Sequence, residues 1–206
     1  MSEYKITCYS TADMSAAYFE EKNLPFVCFH FRMDGVEYLD DLGKSMAFDE
    51  FYKKISAGSE PTTAQVNTQQ YMELFEPVLK EGKDLLHLTL SSGISGSINS
   101  ANMAKIQLEE KYPERKIFIV DSLSASSGYG MLVDAALENQ EKGFSIEENV
   151  KWIEENRNRL HHWFFSTDLT SFIRGGRISK VSGFVGQALN ICPLMNVNTE
   201  GKLIPR

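Results

Sequence analysis

The chain has 206 residues, a formal net charge of −7, and is 42% hydrophobic and 24% charged. That composition supports a buried core and excludes intrinsic disorder. The acidic balance argues against a nucleic-acid or anionic-membrane surface, where Lys and Arg dominate, and no apolar stretch approaches the roughly 20 residues that cross a bilayer.

The first residues, MSEYKITCYS, read as the start of a strand and lack the basic and apolar regions of a signal peptide. The cytosol is the expected location. Three cysteines, Cys8, Cys28 and Cys192, show no metal-ligand spacing, and the apolar runs around Cys8 and Cys28 predict inert, packed thiols. His161 and His162 are adjacent and cannot face one metal from a regular element, while His30 and His87 lie in predicted strands as packing residues. No metal and no cofactor is expected.

Taken in order, the elements alternate. YKITCY (4–9) predicts a strand, and 10–23 a turn with an amphipathic helix. PFVCFHFRM (25–33) and VEYLD (36–40) predict a hairpin closed by Asp34-Gly35, because Gly accepts positive φ. A short helix is expected over 47–58, and SEPTTAQVNTQQ reads as a turn without an apolar anchor. Tyr71, Met72, Phe75, Val78 and Leu79 share one face of a predicted helix over 68–81, with Pro77 as a possible kink. DLLHLTL (84–90) and KIFIVDS (116–122) are continuous apolar runs, as buried parallel strands require. Helices are predicted over 97–111, 127–142 and 146–159, the last opened by a Ser145–Glu148 capping box, and another strand over 161–166.

This order predicts an α/β fold, a three-layer sandwich with a mostly parallel sheet, over 1–164, with a small hairpin insertion near 25–45. From 165 to 206 the pattern changes to a short helix, a glycine turn, a second helix and a hairpin around Thr199-Glu200-Gly201. This part is expected to begin a second α+β domain that is truncated, because a last strand at 202–206 leaves a sheet edge exposed.

Open parallel sheets bind ligands at the carboxyl ends of their strands. Ser10-Thr11, Ser91 to Ser97 and Ser122 to Ser127 fall there, and Pro61-Thr62-Thr63 is read as leading into a helix. Hydroxyls and helix N-terminal N–H groups together suit an oxyanion, although each loop alone is explained by capping. Gly93-Ile94-Ser95-Gly96-Ser97 falls short of the hydrolase elbow, since Ser97 stands where the second glycine belongs. The chain has neither a P-loop nor a Gly-x-Gly-x-x-Gly after its first strand. Arg174-Gly175-Gly176-Arg177 offers two guanidinium forks to a carboxylate or phosphate.

Several stretches then align with one family. STADM (10–14), EYLDD (37–41), EFYKKI (50–55), PTTAQ (61–65), LSSGISGS (90–97), SANMAK (100–105), VDSLSASSGYG (120–130), FIRGGRISK (172–180) and LNICPLMNV (189–197) resemble the DegV proteins of bacteria, in the family's order and along the whole chain. The resemblance implies a carrier that buries one long-chain fatty acid between two domains and performs no chemistry itself. It further implies that the carboxyl group is presented to a separate fatty acid kinase, which makes acyl phosphate. By the same resemblance the carboxylate is held at Thr63 and Ser95, with Ser92 and Gly96 in the same loop, and Arg174 belongs to the polar network behind the head group.

Burying about fourteen methylenes at ~0.8 kcal/mol each supplies roughly 10 kcal/mol before entropic costs. The 13 Phe and 8 Met offer a lining. Two positions depart from the family pattern: Tyr9 stands for its first Asp and Ala64 for a Ser. Family members are also longer, which predicts that the chain is a fragment with an open tunnel. Two other functions stay open: an esterase or acyltransferase using Ser95, and a module for a small phosphate or sugar.

Overall fold

The computed structural model describes residues 3–178, 192 and 194–206. In chain order it runs through β1 (Tyr4–Tyr9), a 3-10 turn at Ser10–Ala12, α1 (Ala16–Glu21), β2 (Phe26–Val27), β3 (His30–Met33), β4 (Val36–Leu39), α2 (Phe48–Ser56) and β5 (Thr62–Ala64). There follow α3 (Thr68–Lys80), β6 (Asp84–Thr89), α4 (Ser97–Lys111), β7 (Ile117–Asp121), α5 (Ser126–Glu141), α6 (Ile146–Asn156) and a 3-10 turn at Arg157–Arg159. The described residues close with β8 (Trp163–Phe165), α7 (Thr170–Arg174), β9 (Leu194–Val197) and β10 (Leu203–Pro205).

The architecture is α/β. A parallel sheet in the order β2-β1-β6-β7 forms the middle layer. All six residues of β6 are buried, which accounts for its unbroken apolar reading. The helices α3 and α4 pair with each other and pack on β6 and β7, while α5 and α6 form a second pair against β1, β6 and β7. Their starts follow local chemistry. Asn67 with Gln70, and Ser145 with Glu148, make reciprocal capping boxes. Pro77 lies inside α3, which nonetheless runs on to Lys80.

Two antiparallel sheets complete the fold. One, in the order β4-β3-β5, stands with α2 above the carboxyl ends of the parallel strands; the other, in the order β10-β9-β8, is built from the C-terminal segment. The expected division at 164/165 falls inside β8. The second helix expected after the glycine turn lies outside the described residues.

Three local expectations are corrected. The run 25–33 is not one strand: Phe26–Val27 pairs in parallel with β1, and His30–Met33 pairs antiparallel with β4 and β5. Pro61-Thr62-Thr63 does not lead into a helix, because Thr62–Ala64 forms β5 opposite Arg32, Phe31 and His30. Nor does the following segment lack an anchor: Val66 is fully buried in the main core. Helical periodicity is a poor guide to a three-residue strand whose hydrogen bonds come from a partner thirty residues away.

Candidate functional site

Beyond the carboxyl ends of β1 and β6 lies a cleft of about 700 Å³, a size that ordinary small-molecule sites share. Its roof is aromatic. Phe48, Phe51 and Tyr52 of α2 face it, with Phe51 set edge-on to Phe31 of β3 at 5.2 Å. The helix α2 buries no residue completely, so its apolar face borders the cleft rather than the core. The lining also carries the hydroxyls of Thr11, Thr63 and Ser95 and the guanidinium groups of Arg174 and Arg177, with Thr63 beside Phe31 as its cross-strand partner.

The 91–97 loop is held by its own serines. Ser91 is fully buried, and its hydroxyl donates to the Gly201 carbonyl at 2.8 Å while accepting the Gly93 N–H at 3.1 Å. The Ile94 and Ser95 N–H groups both donate to the Ser91 carbonyl at 3.0 Å. Asp121, at the end of β7, accepts the Ser92 and Leu123 N–H groups. Gly93 and Gly201 permit the close approach of this loop to the β9–β10 turn, since a Cβ on Gly93 would lie 2.7 Å from the Gly201 carbonyl carbon.

Ser95 is 6% exposed and borders the cleft. Its hydroxyl lies 2.9 Å from that of Ser97, and it accepts the Ser97 N–H at 3.3 Å. Thr63 reaches the same cleft from β5, so the structure brings these two expected residues together from segments about thirty residues apart. Ser92 and Gly96 stand elsewhere. Ser92 is exposed outside the cleft lining, and Gly96 backs onto the Gln65 amide, which a Cβ would approach to 2.9 Å.

Arg174 borders the cleft with its Nη2 ion-paired to Glu60 at 2.6 Å. It is Arg177 whose Nε donates to the Ile94 carbonyl at 3.2 Å and so ties the glycine turn to the serine loop. Asp40 also lines the cleft; burial raises its pKa, and the Ser10 hydroxyl, which donates to it at 3.1 Å, opposes that shift.

The nucleophile alternative gains nothing from this geometry. Among the described residues, Ser95's side-chain partner is a serine and no imidazole reaches it. His87 is fully buried, its Nδ1 lies 2.9 Å from the Thr7 hydroxyl, and burial pushes its pKa down to about 3. The Cys8 thiol is raised by burial and Cys28 is raised to about 11, which leaves both protonated and unreactive. Among the described residues, no group of three or more His, Cys, Asp or Glu is placed to hold a metal, and no helix is long and apolar enough to cross a membrane.

The residues that sequence reasoning missed are those of the aromatic roof. Phe48, Phe51 and Tyr52, spaced three and four apart, mark one face of a helix and were open to detection.

Known proteins share this fold. The DegV family model, described as one of uncharacterised proteins, matches residues 3–205. A DegV domain-containing protein of Clostridium perfringens is 36% identical over 203 residues, which span 98% of this chain and 70% of that protein. Among solved structures, a stearic acid-binding protein from Eubacterium ventriosum matches with a TM-score of 0.90 at 26% identity, covering 98% of this chain and 69% of that one. The Streptococcus pneumoniae Fatty Acid Kinase (Fak) B3 protein, loaded with linoleic acid, matches with a TM-score of 0.82 at 26% identity, covering 99% and 72%. The matched residues run through the parallel sheet, the aromatic-roofed cleft and the serine loop, and the chain belongs to the DegV family.

Proposed function

We propose that this protein binds a long-chain fatty acid in the aromatic-roofed cleft and presents its carboxyl group to a partner kinase in the cytosol. The observation that carries the proposal is the cleft's polarity. The lining combines the hydroxyls of Thr63 and Ser95 with the rings of Phe48, Phe51 and Tyr52. A fatty acid combines the same two chemistries, and apolar burial of its chain provides the driving force. Thr63 and Ser95 are assigned to the carboxylate and Arg174 to the cleft edge near it; no chemical step is assigned to any of them. Ser92 and Gly96 shape the loop from behind. The fatty acids named for the Eubacterium ventriosum and Streptococcus pneumoniae proteins support the ligand class, and the kinase named for the latter supports the partner. In this proposal residues 1–164 form the α/β domain and residues 165–206 begin a second one, with the ligand between them.

Titrating the purified, delipidated protein with oleic acid tests the assignment. Ser95→Ala is expected to weaken binding about ten- to a hundredfold, the worth of one hydrogen bond to a charged acceptor, and the double change Thr63→Val with Ser95→Ala more than either alone. Unchanged affinity in the double variant would remove the carboxylate from these hydroxyls.

A further inference from the structure

Among the described helices of eight or more residues, α2 alone buries no residue. Its sequence is nonetheless that of a helix with a packed face, since Phe48, Phe51, Tyr52 and Ile55 recur at three- and four-residue spacing. Phe48 and Tyr52 line the cleft and are still 58% and 64% exposed. Two large rings left that wet at the border of an apolar cleft call for a cover that the folded chain does not itself supply.

The two ends of α2 are held differently. Before it, the Ser45 N–H donates to the Asp41 carboxylate at 2.8 Å and Met46 is buried beside the cleft, so the entry to the helix is fixed. Beyond it, Asp34 of the β3–β4 turn accepts the Ser59 hydroxyl at 3.1 Å on the same carboxylate oxygen that pairs with Lys54 Nζ at 3.3 Å. Gly58 lies between these two partners, with φ of 103° and nothing within 4 Å of where a Cβ would stand. Asp34 therefore grips the chain on both sides of a glycine whose surroundings are open. The middle of the helix is held by Phe51, edge-on to Phe31 at 5.2 Å.

These contacts part easily. The Lys54–Asp34 pair is solvent-exposed, and exposed ion pairs are weak. An element with few buried apolar contacts opens far below the free energy of global unfolding, and hinges of this kind are a few residues at element ends that absorb the backbone rotation. Rotation at Ala47 and Gly58 separates Lys54 from Asp34 and Phe51 from Phe31, while Met46 and Ser59 stay where they are.

We propose that α2 is a hinged lid on the cleft. Latched through Lys54–Asp34 and Phe51–Phe31, it lays Phe48, Phe51 and Tyr52 against the acyl chain, which covers their rings in turn. Unlatched, it swings away from the β3–β4 hairpin and lets the chain in or out, so that lid opening limits ligand exchange. This rests on the fatty-acid function proposed above.

Release of oleic acid from the loaded protein to fatty-acid-free albumin tests the lid. Asp34→Cys with Lys54→Cys places two thiols at the latch, in a Cys192→Ser background because Cys192 is exposed. Joined by a short bismaleimide after loading, this variant is expected to release oleic acid about tenfold more slowly than the same variant unjoined, with equilibrium affinity within about threefold. Lys54→Ala removes the ion pair without a crosslink and is expected to release about two- to threefold faster than wild type. A joined protein that releases at the unjoined rate, or a Lys54→Ala variant no faster than wild type, would overturn the lid while leaving the fatty-acid site in place. A wild-type protein that takes up no oleic acid would overturn the site and the lid together.

Discussion

At the scale of single residues, burial decides what each polar group does. Ser91 is enclosed and spends its hydroxyl joining two segments, whereas Ser95, four residues on, borders the cleft. His87 shows the same rule in a titratable group. It sits between the rings of Tyr9 and Phe75 at 5.0 Å and Tyr71 at 5.5 Å, and its pKa falls from 6.5 to about 3 because a charged imidazole has lost its water. Between those two values the unfolded chain carries a proton that the folded chain does not, so stability rises with pH across this window and is lost as pH falls. The limiting slope is ~1.4 kcal/mol per pH unit. Denaturant melts of wild type and His87→Phe between pH 7 and pH 4 are expected to show the variant gaining on wild type as pH falls. A constant gap would mean that His87 is charged in the folded protein. The sequence placed His87 in a strand as a packing residue, which its burial matches, but gave no means to see that its neighbours are three aromatic rings drawn from two other elements.

At the scale of elements, the serine loop and the β9–β10 turn form one unit. Gly201 has φ of 73°, and the Ser91 hydroxyl fills the space where its Cβ would stand. A methyl at Gly93 meets the Gly201 backbone, which cannot rotate away as a side chain would. Gly93→Ala is therefore expected to destabilise the protein by about 1–3 kcal/mol, lowering its thermal midpoint; an unchanged midpoint would show that the turn is not seated on the loop. The helix α2 makes a contrasting case. Its residues are short of full burial, and Phe51 packs edge-on to Phe31 in the cleft lining. Phe51→Ala is expected to weaken oleic acid about three- to tenfold, from the loss of one aromatic contact, with little change in melting temperature. A melting temperature that falls while affinity holds would place Phe51 in the core instead. Helices and the apolar strands β6 and β7 were legible because their signals are local. The short strand β5 was not, since its pairing with β3 is a tertiary fact, and Thr63 was therefore assigned to the site by family resemblance while its local structure was misread.

At the scale of the whole molecule, the parallel sheet carries the serine loop beyond its carboxyl ends, and the β4-β3-β5 sheet with α2 completes the cleft. Ser95 follows a strand of the parallel sheet, Thr63 and Phe31 lie on the β4-β3-β5 sheet, and Phe48 and Phe51 lie on α2, so the cleft forms only when these parts meet. This explains why the site's polar residues could be nominated from motifs, while the aromatic lining needed the tertiary structure. The central claim is that this cleft holds one fatty acid. Native mass spectrometry of the purified protein, paired with an organic extract of the same sample, tests it most directly. One long-chain fatty acid per chain, lost in the Thr63→Val and Ser95→Ala double variant, is the expected result. A protein that carries no fatty acid and takes up none from oleic acid added in excess would contradict it.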